Sequence, residues 1–355
     1  MIGLFLMHPN GQSQGCVAVR NLAGFGQFAQ LGYKEAPNNW MLDFNNRYFG
    51  ANQIFKGKSN VTPADLSNGL QLYEYTLNME LSRLLAHGWT LSFDLPISSN
   101  TIVSRAEHAS GDRHSTSAFG IGDMRFAVYK WLLNVDRPHK GNIQFGLGLK
   151  FPTGNYHSTD YFYYSKTDPT VKVLAPVNVA IQLGDGGTGI TTELNAFYIF
   201  NKTISVYTSL FYLISPVNQN GVSNQIAGVP PDTISVKTTA DVNSVPDGYT
   251  LRAGGNFTFK NLVVSAGVRY EGAPAYDLLG KNDGLRRVGH IFSAEPGLQY
   301  KFKTSILYCF LTIPLSRVTI QTVTDKRRTE MTGVYTITGG DLASQVFFLG
   351  YTFTF

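Results

Sequence analysis

The chain is poor in charge, in cysteine and in long apolar runs. Charged residues are 15% of its 355 residues, against about a quarter in average soluble proteins. No apolar run reaches the length of about 18 residues that a transmembrane helix needs. The two cysteines, Cys16 and Cys309, lie too far apart in sequence to indicate a disulfide framework. The net charge of +5 is mild and scattered, apart from Lys326-Arg327-Arg328, so nucleic acid is not an expected partner.

Aromatic residues and glycine are abundant instead. The chain has 24 Phe, 19 Tyr and 36 Gly, and so many aromatics exclude intrinsic disorder. From residue 40 onward, segments of about 11–15 residues alternate apolar and polar side chains with a period of two, as half-buried strands do. Phe145, Leu147 and Leu149, for example, alternate with Gln144 and Gly146. We count twelve such strands.

The predicted connections alternate strictly between short turns and long loops. The long loops lie near 51–69, 98–119, 152–187, 216–246, 273–286 and 318–340. This pattern predicts an all-β fold, a single transmembrane antiparallel up-and-down β-barrel of about 12 strands with both termini periplasmic. Closure satisfies every backbone polar group in lipid. A soluble β-sandwich also alternates, but its strands are usually about 5–6 residues long.

The barrel accounts for the aromatic residues and the glycines. Outward positions need an apolar side chain only at every second residue, and inward glycines relieve crowding where strands bend. Aromatics at strand ends are expected to form interfacial girdles. The predicted girdle residues are Tyr48, Phe49, Tyr73, Tyr75, Trp89, Trp131, Tyr198, Phe200, Tyr270, Tyr300 and Phe302.

Three regions are expected along the chain. Residues 1–15 are read as the remnant of a signal peptide, residues 16–39 as a periplasmic N-terminal segment or plug, and residues 40–355 as the outer-membrane β-barrel. Within the second region, 23–31 is compatible with a short helix that enters the lumen, or with a loosely ordered tail. Gly15-Cys16 leaves open a lipidated cysteine, although Ser13 and Gln14 do not suit it.

The C-terminal residues Tyr351, Phe353 and Phe355 resemble the assembly signal of bacterial outer-membrane proteins. In those proteins a terminal Phe, preceded by alternating aromatics, is read by the barrel-assembly machinery. The resemblance implies that machinery as a partner and the bacterial outer membrane as the location. Membrane lipid and lipopolysaccharide are then expected contacts, and other outer-membrane proteins are candidate partners.

A narrower resemblance is carried by three glycine-rich motifs. They are Gly120-Ile-Gly-Asp-Met-Arg-Phe126, Gly146-Leu-Gly-Leu-Lys-Phe-Pro-Thr-Gly154 and Leu183-Gly-Asp-Gly-Gly-Thr-Gly-Ile190. Together they resemble the outer-membrane family called the MetA-pathway of phenol degradation family. The match covers roughly residues 120–200 closely and the rest in architecture only. It implies a transporter-like barrel, and the family name licenses no substrate here.

Charged residues at inward positions are the main candidate site. The predicted lumen-lining and selectivity residues are Arg47, Glu74, Glu80, Arg125, Lys150, Glu193, Arg252, Arg269 and Glu271, with Asp43, Asp94, Asp123, Glu295 and Lys301 also placed inward. Small barrels are filled by side chains and barrels of about 16–18 strands hold an aqueous channel. Twelve strands leave two readings open, a narrow pore lined by interleaved ion pairs and a purely structural plug of ion pairs.

A second candidate is an aromatic cluster in the third long loop, formed by Tyr156, Tyr161, Phe162, Tyr163 and Tyr164. These side chains could fold inward as a constriction or stack on a ligand. They could equally pack on neighbouring loops or on a partner protein, because exposed aromatics often mark interfaces.

Three other patterns are weighed and set aside. Gly184–Gly189 fits a dinucleotide fingerprint formally, but a strand follows where a helix is required. Glu107, His108, Asp112 and His114 cluster without a zinc-like spacing, so no metal and no cofactor are expected. His114-Ser115 lacks the sequence context of the outer-membrane phospholipases, which also have twelve strands, so we expect no enzyme activity. The expected function is passive or facilitated passage of small molecules, and the alternative is a closed structural or accessory subunit of a larger assembly.

Overall fold

The computed structural model describes residues 39–62, 71–105, 107–135, 137, 139–168, 170–225 and 230–355. The predictions for residues 1–15, for most of residues 16–39, for Cys16 and for an N-terminal plug at 23–31 lie outside the described residues. The strands of the barrel begin at Trp40 and end at Thr354.

Strands make up nearly all of the regular structure. In chain order they are β1 (Trp40–Ala51), β2 (Ile54–Lys56), β3 (Ser59–Asn60), β4 (Gln71–Leu84), β5 (Trp89–Ser104), β6 (His114–Ile121), β7 (Arg125–Trp131), β8 (Gly141–Lys150), β9 (Thr159–Tyr163), β10 (Lys172–Pro176), β11 (Gly189–Ile199), β12 (Ile204–Ile214), β13 (Gln219–Ser223), β14 (Val242–Ser244), β15 (Gly248–Phe259), β16 (Leu262–Ala273), β17 (Gly289–Lys301), β18 (Ser305–Thr319), β19 (Gly340–Asp341) and β20 (Gln345–Thr354). The helices are α1 (Thr233–Lys237) and α2 (Val323–Thr332), and 3-10 turns span Ala86–Gly88 and Val179–Ile181. Among the residues that the structure describes, none of the helices is long and apolar enough to cross a membrane.

One closed antiparallel sheet forms the wall. Its hydrogen-bonded order is β4-β1-β20-β18-β17-β16-β15-β12-β11-β8-β7-β5-β6, and pairing of β4 with β5 closes it. β6 and β7 pair with successive halves of one edge of β5, so together they fill a single position. The predicted barrel of twelve strands is therefore confirmed. Its first and last strands meet at the end with the short turns, where Trp40 and Phe355 exchange backbone hydrogen bonds of 3.1 and 3.0 Å.

The predicted long loop at 98–119 is wrong. β5 continues to Ser104 and β6 begins at His114, so the loop covers only residues 105–113. Both faces of this upper wall are rich in hydroxyl and amide side chains, which hides the apolar alternation. Cross-strand bonds hold it instead, such as the 3.0 Å bond between the Thr101 and Ser117 hydroxyls.

The two faces of the wall have opposite chemistry. On β8 the outward Phe145, Leu147 and Leu149 are exposed, whereas the inward Gln144 is fully buried. This arrangement follows from the period of two along a strand. Two predicted girdle residues break the expectation, because Phe49 and Trp131 point inward and are buried. Both residues lie near a strand end, where side chains of the membrane–water interface are expected, but the parity of their strands turns them toward the barrel interior.

Inward glycines make room for large rings that lie flat on the inner wall. A Cβ on Gly350 would come within 2.5 Å of the Tyr308 ring, and one on Gly146 would lie 2.5 Å from Tyr129 Cε1. A Cβ on Gly297 would clash with the ring of Phe310 in the same way. Space for a neighbouring ring is thus a reason for inward glycine, beyond the strand bending that we expected.

Candidate functional site

The nine predicted lumen residues all lie on the inward face and are buried: Arg47, Glu74, Glu80, Arg125, Lys150, Glu193, Arg252, Arg269 and Glu271. Asp43, Asp94 and Glu295 are buried beside them, Asp123 is half-buried, and Lys301 is half-buried at the turn end of β17. The mid-barrel arginines and carboxylates carry a formal charge of −3, four positive groups (Arg47, Arg125, Arg252 and Arg269) against seven negative ones (Asp43, Glu74, Glu80, Asp94, Glu193, Glu271 and Glu295).

Arg125 is the centre of one ion-pair network. Its guanidinium lies 2.8 Å from Asp94 and also contacts Glu193. The Tyr129 hydroxyl accepts a 3.0 Å bond from Arg125 and donates a 2.9 Å bond to Glu193. Charge-assisted bonds of this kind are about twice as strong as neutral ones, so the network holds β5, β7 and β11 in fixed relation.

A second network joins β15, β16 and β17. Arg252 donates two bonds to one oxygen of Glu295, at 2.8 Å and 2.6 Å. Arg269 lies 3.4 Å from the other oxygen of Glu295 and 2.9 Å from Glu271. Both carboxylates and both guanidiniums are thereby neutralised within the lumen.

Asp43 and Glu80 are held by hydroxyl groups, whereas the carboxylates of the two networks are held by arginines. In the strand register Asp43 stands opposite Glu80, and Glu80 stands opposite Asp94, so three carboxylates form one row across β1, β4 and β5. Hydroxyls supply the hydrogen bonds: Glu80 accepts from two serines, and Asp43 accepts from Tyr308 at 2.9 Å and Thr352 at 2.5 Å. This row is the source of the net negative charge.

Each of the four arginines also stands over a phenylalanine ring. The guanidinium carbon lies 5.3–5.9 Å from the ring centroid in each pair: Arg47 over Phe49, Arg125 over Phe211, Arg252 over Phe310 and Arg269 over Phe348. These are cation–π distances. Phe49 was predicted in the girdle, and no pattern in the sequence singled out Phe211, Phe310 and Phe348, although the parity of their strands places all four inside.

The upper lumen is occupied by part of the third long loop, residues 177–183, which we call the inner segment. Its 3-10 turn buries Ile181 in one apolar cluster with Phe49, Leu72 and Ile102 of the wall. The inward Asn100 donates a 3.3 Å bond to the Ile181 carbonyl. The inner segment therefore narrows the lumen from the long-loop end.

The predicted aromatic cluster lies beside the inner segment. Phe162 is buried, Tyr161 is exposed under Lys172 at 4.2 Å, and Tyr163 stacks on His114 with ring centroids 4.0 Å apart. Tyr156 packs against the neighbouring His157, and Tyr164 is half-buried. These are packing contacts within the loop and with β6, and the inner segment, which enters the lumen, is a later part of the same loop.

Two titratable groups, His108 and Glu107, lie in the loop region outside the membrane-spanning strands, and each makes a hydrogen bond to the third long loop. Burial, reinforced by the nearby His114, lowers the pKa of His108 to about 4. Burial raises the pKa of Glu107, which accepts a 2.6 Å bond from Asn178 at the start of the inner segment. His108 Nδ1 accepts a 3.2 Å bond from the Tyr163 amide, so it functions as a neutral imidazole here.

The glycine run, the His-Ser pair and the acidic and histidine cluster of the sequence analysis are now located in the structure. Gly189 opens strand β11, so no helix follows the glycine run. His114 and Ser115 are consecutive in β6 and therefore point to opposite faces. Within the described part of the chain, no group of three or more His, Cys, Asp or Glu side chains is placed to hold a metal ion. Tyr351, Phe353 and Phe355 form an exposed outward stripe at the end of the chain.

A closed antiparallel barrel with an apolar outer face and a polar interior is the architecture of bacterial outer-membrane proteins. The predicted closed barrel of twelve antiparallel strands and the predicted location in the bacterial outer membrane are confirmed. No protein-family model matches the chain, and no curated protein matches it.

Solved structures do match. An outer membrane channel from Pseudomonas putida F1 superposes with a TM-score of 0.56 at 12% identity, covering 91% of this chain and 98% of that one. The CymD monoaromatic hydrocarbon channel gives 0.43 at 10% identity, covering 93% and 91%. The toluene transporter TbuX of Ralstonia pickettii gives 0.40 at 9% identity, covering 97% and 95%. The first likeness supports the fold, and the two lower scores carry no argument.

Proposed function

We propose that this protein is an outer-membrane channel for the passive or facilitated passage of small molecules, and that the structure describes its closed state. The charged lumen is the observation that carries the proposal. Buried ion pairs add little net stability compared with apolar packing of the same volume. Ion pairs along the wall would line an aqueous path once the lumen opens, which is what a channel requires.

Two further points support the proposal. The P. putida protein that shares the fold is named an outer membrane channel. The three glycine motifs resemble those of the MetA-pathway of phenol degradation family, whose members are transporter-like. On this proposal the short turns and both termini face the periplasm, the long loops face outward toward lipopolysaccharide, and the barrel-assembly machinery reads the C-terminal aromatic stripe.

The second candidate function is a closed accessory barrel in a larger outer-membrane assembly. Deep burial of the lumen side chains favours it, since an open aqueous pore would leave them exposed. Catalysis is not part of either proposal, and release of product from labelled phospholipid would contradict both.

Conductance in planar bilayers separates the two candidates. The channel proposal expects discrete current steps and, from the excess of carboxylates over arginines in the mid-barrel layer, a reversal potential that favours cations in a salt gradient. Glu193→Gln should weaken that preference, because Glu193 is ion-paired with Arg125, whereas Glu330→Gln, at an exposed position on α2, should not. Absence of current at every voltage would refute the channel, and co-purification in mild detergent would then test the accessory role.

A further inference from the structure

The three glycine motifs converge on one point of the wall, between the end of β8 and the start of β7. A Cβ on Gly184 would lie 2.5 Å from Asp123 Oδ1 and 2.6 Å from the Gly154 carbonyl oxygen. A Cβ on Gly154 would lie 2.6 Å from the Leu183 carbonyl oxygen. Backbone packs directly on backbone here, so any larger residue would force the two ends of the third long loop apart.

The carboxylate of Asp123 ties both ends of that loop to the wall. Asp123 lies in the break between β6 and β7. It accepts a 3.0 Å bond from the Gly154 amide, which precedes the aromatic cluster, and a 3.2 Å bond from the Asp185 amide, which follows the inner segment. Lys150 Nζ lies 3.3 Å from Asp123 and also contacts Asp185. We call these five residues, Asp123, Lys150, Gly154, Gly184 and Asp185, the anchor.

The contacts that hold the inner segment in the lumen differ in kind from those of the anchor. Leu183 is the residue immediately before Gly184, and toward the lumen Ile181 contacts the wall through apolar side chains and a neutral bond from Asn100. The anchor bonds are charge-assisted and therefore about twice as strong as neutral ones. The inner segment also has a carboxylate bond at its start, from Asn178 to Glu107 at 2.6 Å, so the weaker contacts are the apolar and neutral ones around Ile181 farther along the segment.

We propose that the inner segment is a movable gate, that it leaves the upper lumen by pivoting about the anchor, and that Asp123 positions it there. This inference rests on the proposed channel function. The anchor keeps both ends of the loop at the wall while residues 177–183 exchange between the apolar cluster and the outside. Loss of the anchor charge frees the two loop ends from the wall, so released conformations that the intact anchor forbids become accessible and the open population rises.

The first experiment measures movement without conductance. Ile181→Cys, in a background of Cys16→Ser and Cys309→Ser, is labelled with a membrane-impermeant maleimide in folded barrels. Adding Asp123→Asn should raise the labelling rate about tenfold, because the lost charge-assisted bonds shift the equilibrium by that order. Asp168→Asn is the matched control, an exposed aspartate of the same loop, and should leave the rate unchanged.

The second experiment measures conductance. Gly184→Ala should raise the open probability by wedging the anchor apart, whereas Gly255→Ala should not, because its Cβ would lie 3.8 Å from the nearest atom. Mobility of unboiled protein on a denaturing gel checks folding. If Gly184→Ala fails to fold, the open probability of Asp123→Asn is measured in its place. Unchanged labelling and unchanged current in Asp123→Asn overturn the gate while leaving a conducting wild type as a channel. Faster labelling without current in any variant keeps the gate and overturns the channel.

Discussion

Replacing Glu295 with glutamine should destabilise the barrel by about 3–5 kcal/mol, the usual cost of removing one partner from a buried ion pair. Glu295 is fully buried and is shared between Arg252 and Arg269. Glutamine keeps the size of the side chain but not its charge. Arg269 retains its 2.9 Å contact with Glu271, so most of the cost should fall on Arg252.

The size of the stability loss in Glu295→Gln tests whether water reaches the charged side chains of the lumen. An ion pair that water can solvate contributes only about 0–1 kcal/mol, so the two cases differ by several kcal/mol. Urea unfolding in lipid vesicles, followed by tryptophan fluorescence, measures the change. A loss below about 1 kcal/mol would refute the buried-lumen reasoning.

Two further variants complete this test. Glu330→Gln removes an exposed carboxylate and should change stability by no more than about 0.5 kcal/mol. Adding Arg252→Met to Glu295→Gln should restore part of the loss, with a coupling of about 0.5–3 kcal/mol. A strictly additive double variant would show that the two side chains do not depend on each other.

Three other predictions follow from the packing and the loop chemistry. Gly350→Ala should destabilise the barrel by about 1–3 kcal/mol in the same unfolding assay, because its Cβ would overlap the Tyr308 ring; a neutral result would contradict the flat-ring packing. The pKa of His108 is lowered to about 4 in the folded loop against about 6.5 when exposed, so loop stability should fall as pH drops from 6.5 toward 4, by about 2 kcal/mol at pH 5. A lower protection factor of the loop amides at pH 5 than at pH 7, after correction for the pH dependence of the intrinsic exchange rate, would verify this, and His108→Gln should abolish the difference. Phe355→Ala should lower the assembled amount in cells without changing stability in vitro, whereas Phe302→Ala, an equally outward aromatic, should leave assembly intact.

The wall of the barrel could be predicted from the sequence because a strand exposes alternate side chains to two different solvents. Outward Phe145 and Leu147 face lipid while inward Gln144 faces the lumen, so apolar and polar residues alternate along the sequence with a period of two. The same parity placed Arg125 and Glu193 inside without any knowledge of their partners.

The inner segment could not be predicted in this way. Residues 177–183 have no periodicity of their own, and Ile181 is buried only because Phe49, Leu72 and Ile102 come from strands far away in sequence. Phe49 and Trp131 lie near strand ends, as girdle residues do, but the parity of their strands turns their side chains inward. The glycine motifs were visible, but their meeting point depends on the break between β6 and β7.

Opening of the lumen need not break the ion pairs, because these pairs run along the wall. Arg47 pairs with Glu74 on the adjacent strand, and Arg252 pairs with Glu295 only two strands away. The inner segment is the part that meets β1, β4 and β5 from within. Exposing the buried aliphatic side chains Val177, Ile181 and Leu183 costs about 1.5–3 kcal/mol each. The released state is thus a rare conformation, which a ligand or a weakened anchor would have to favour before it is populated. The charged layer would then line the open path instead of sealing it.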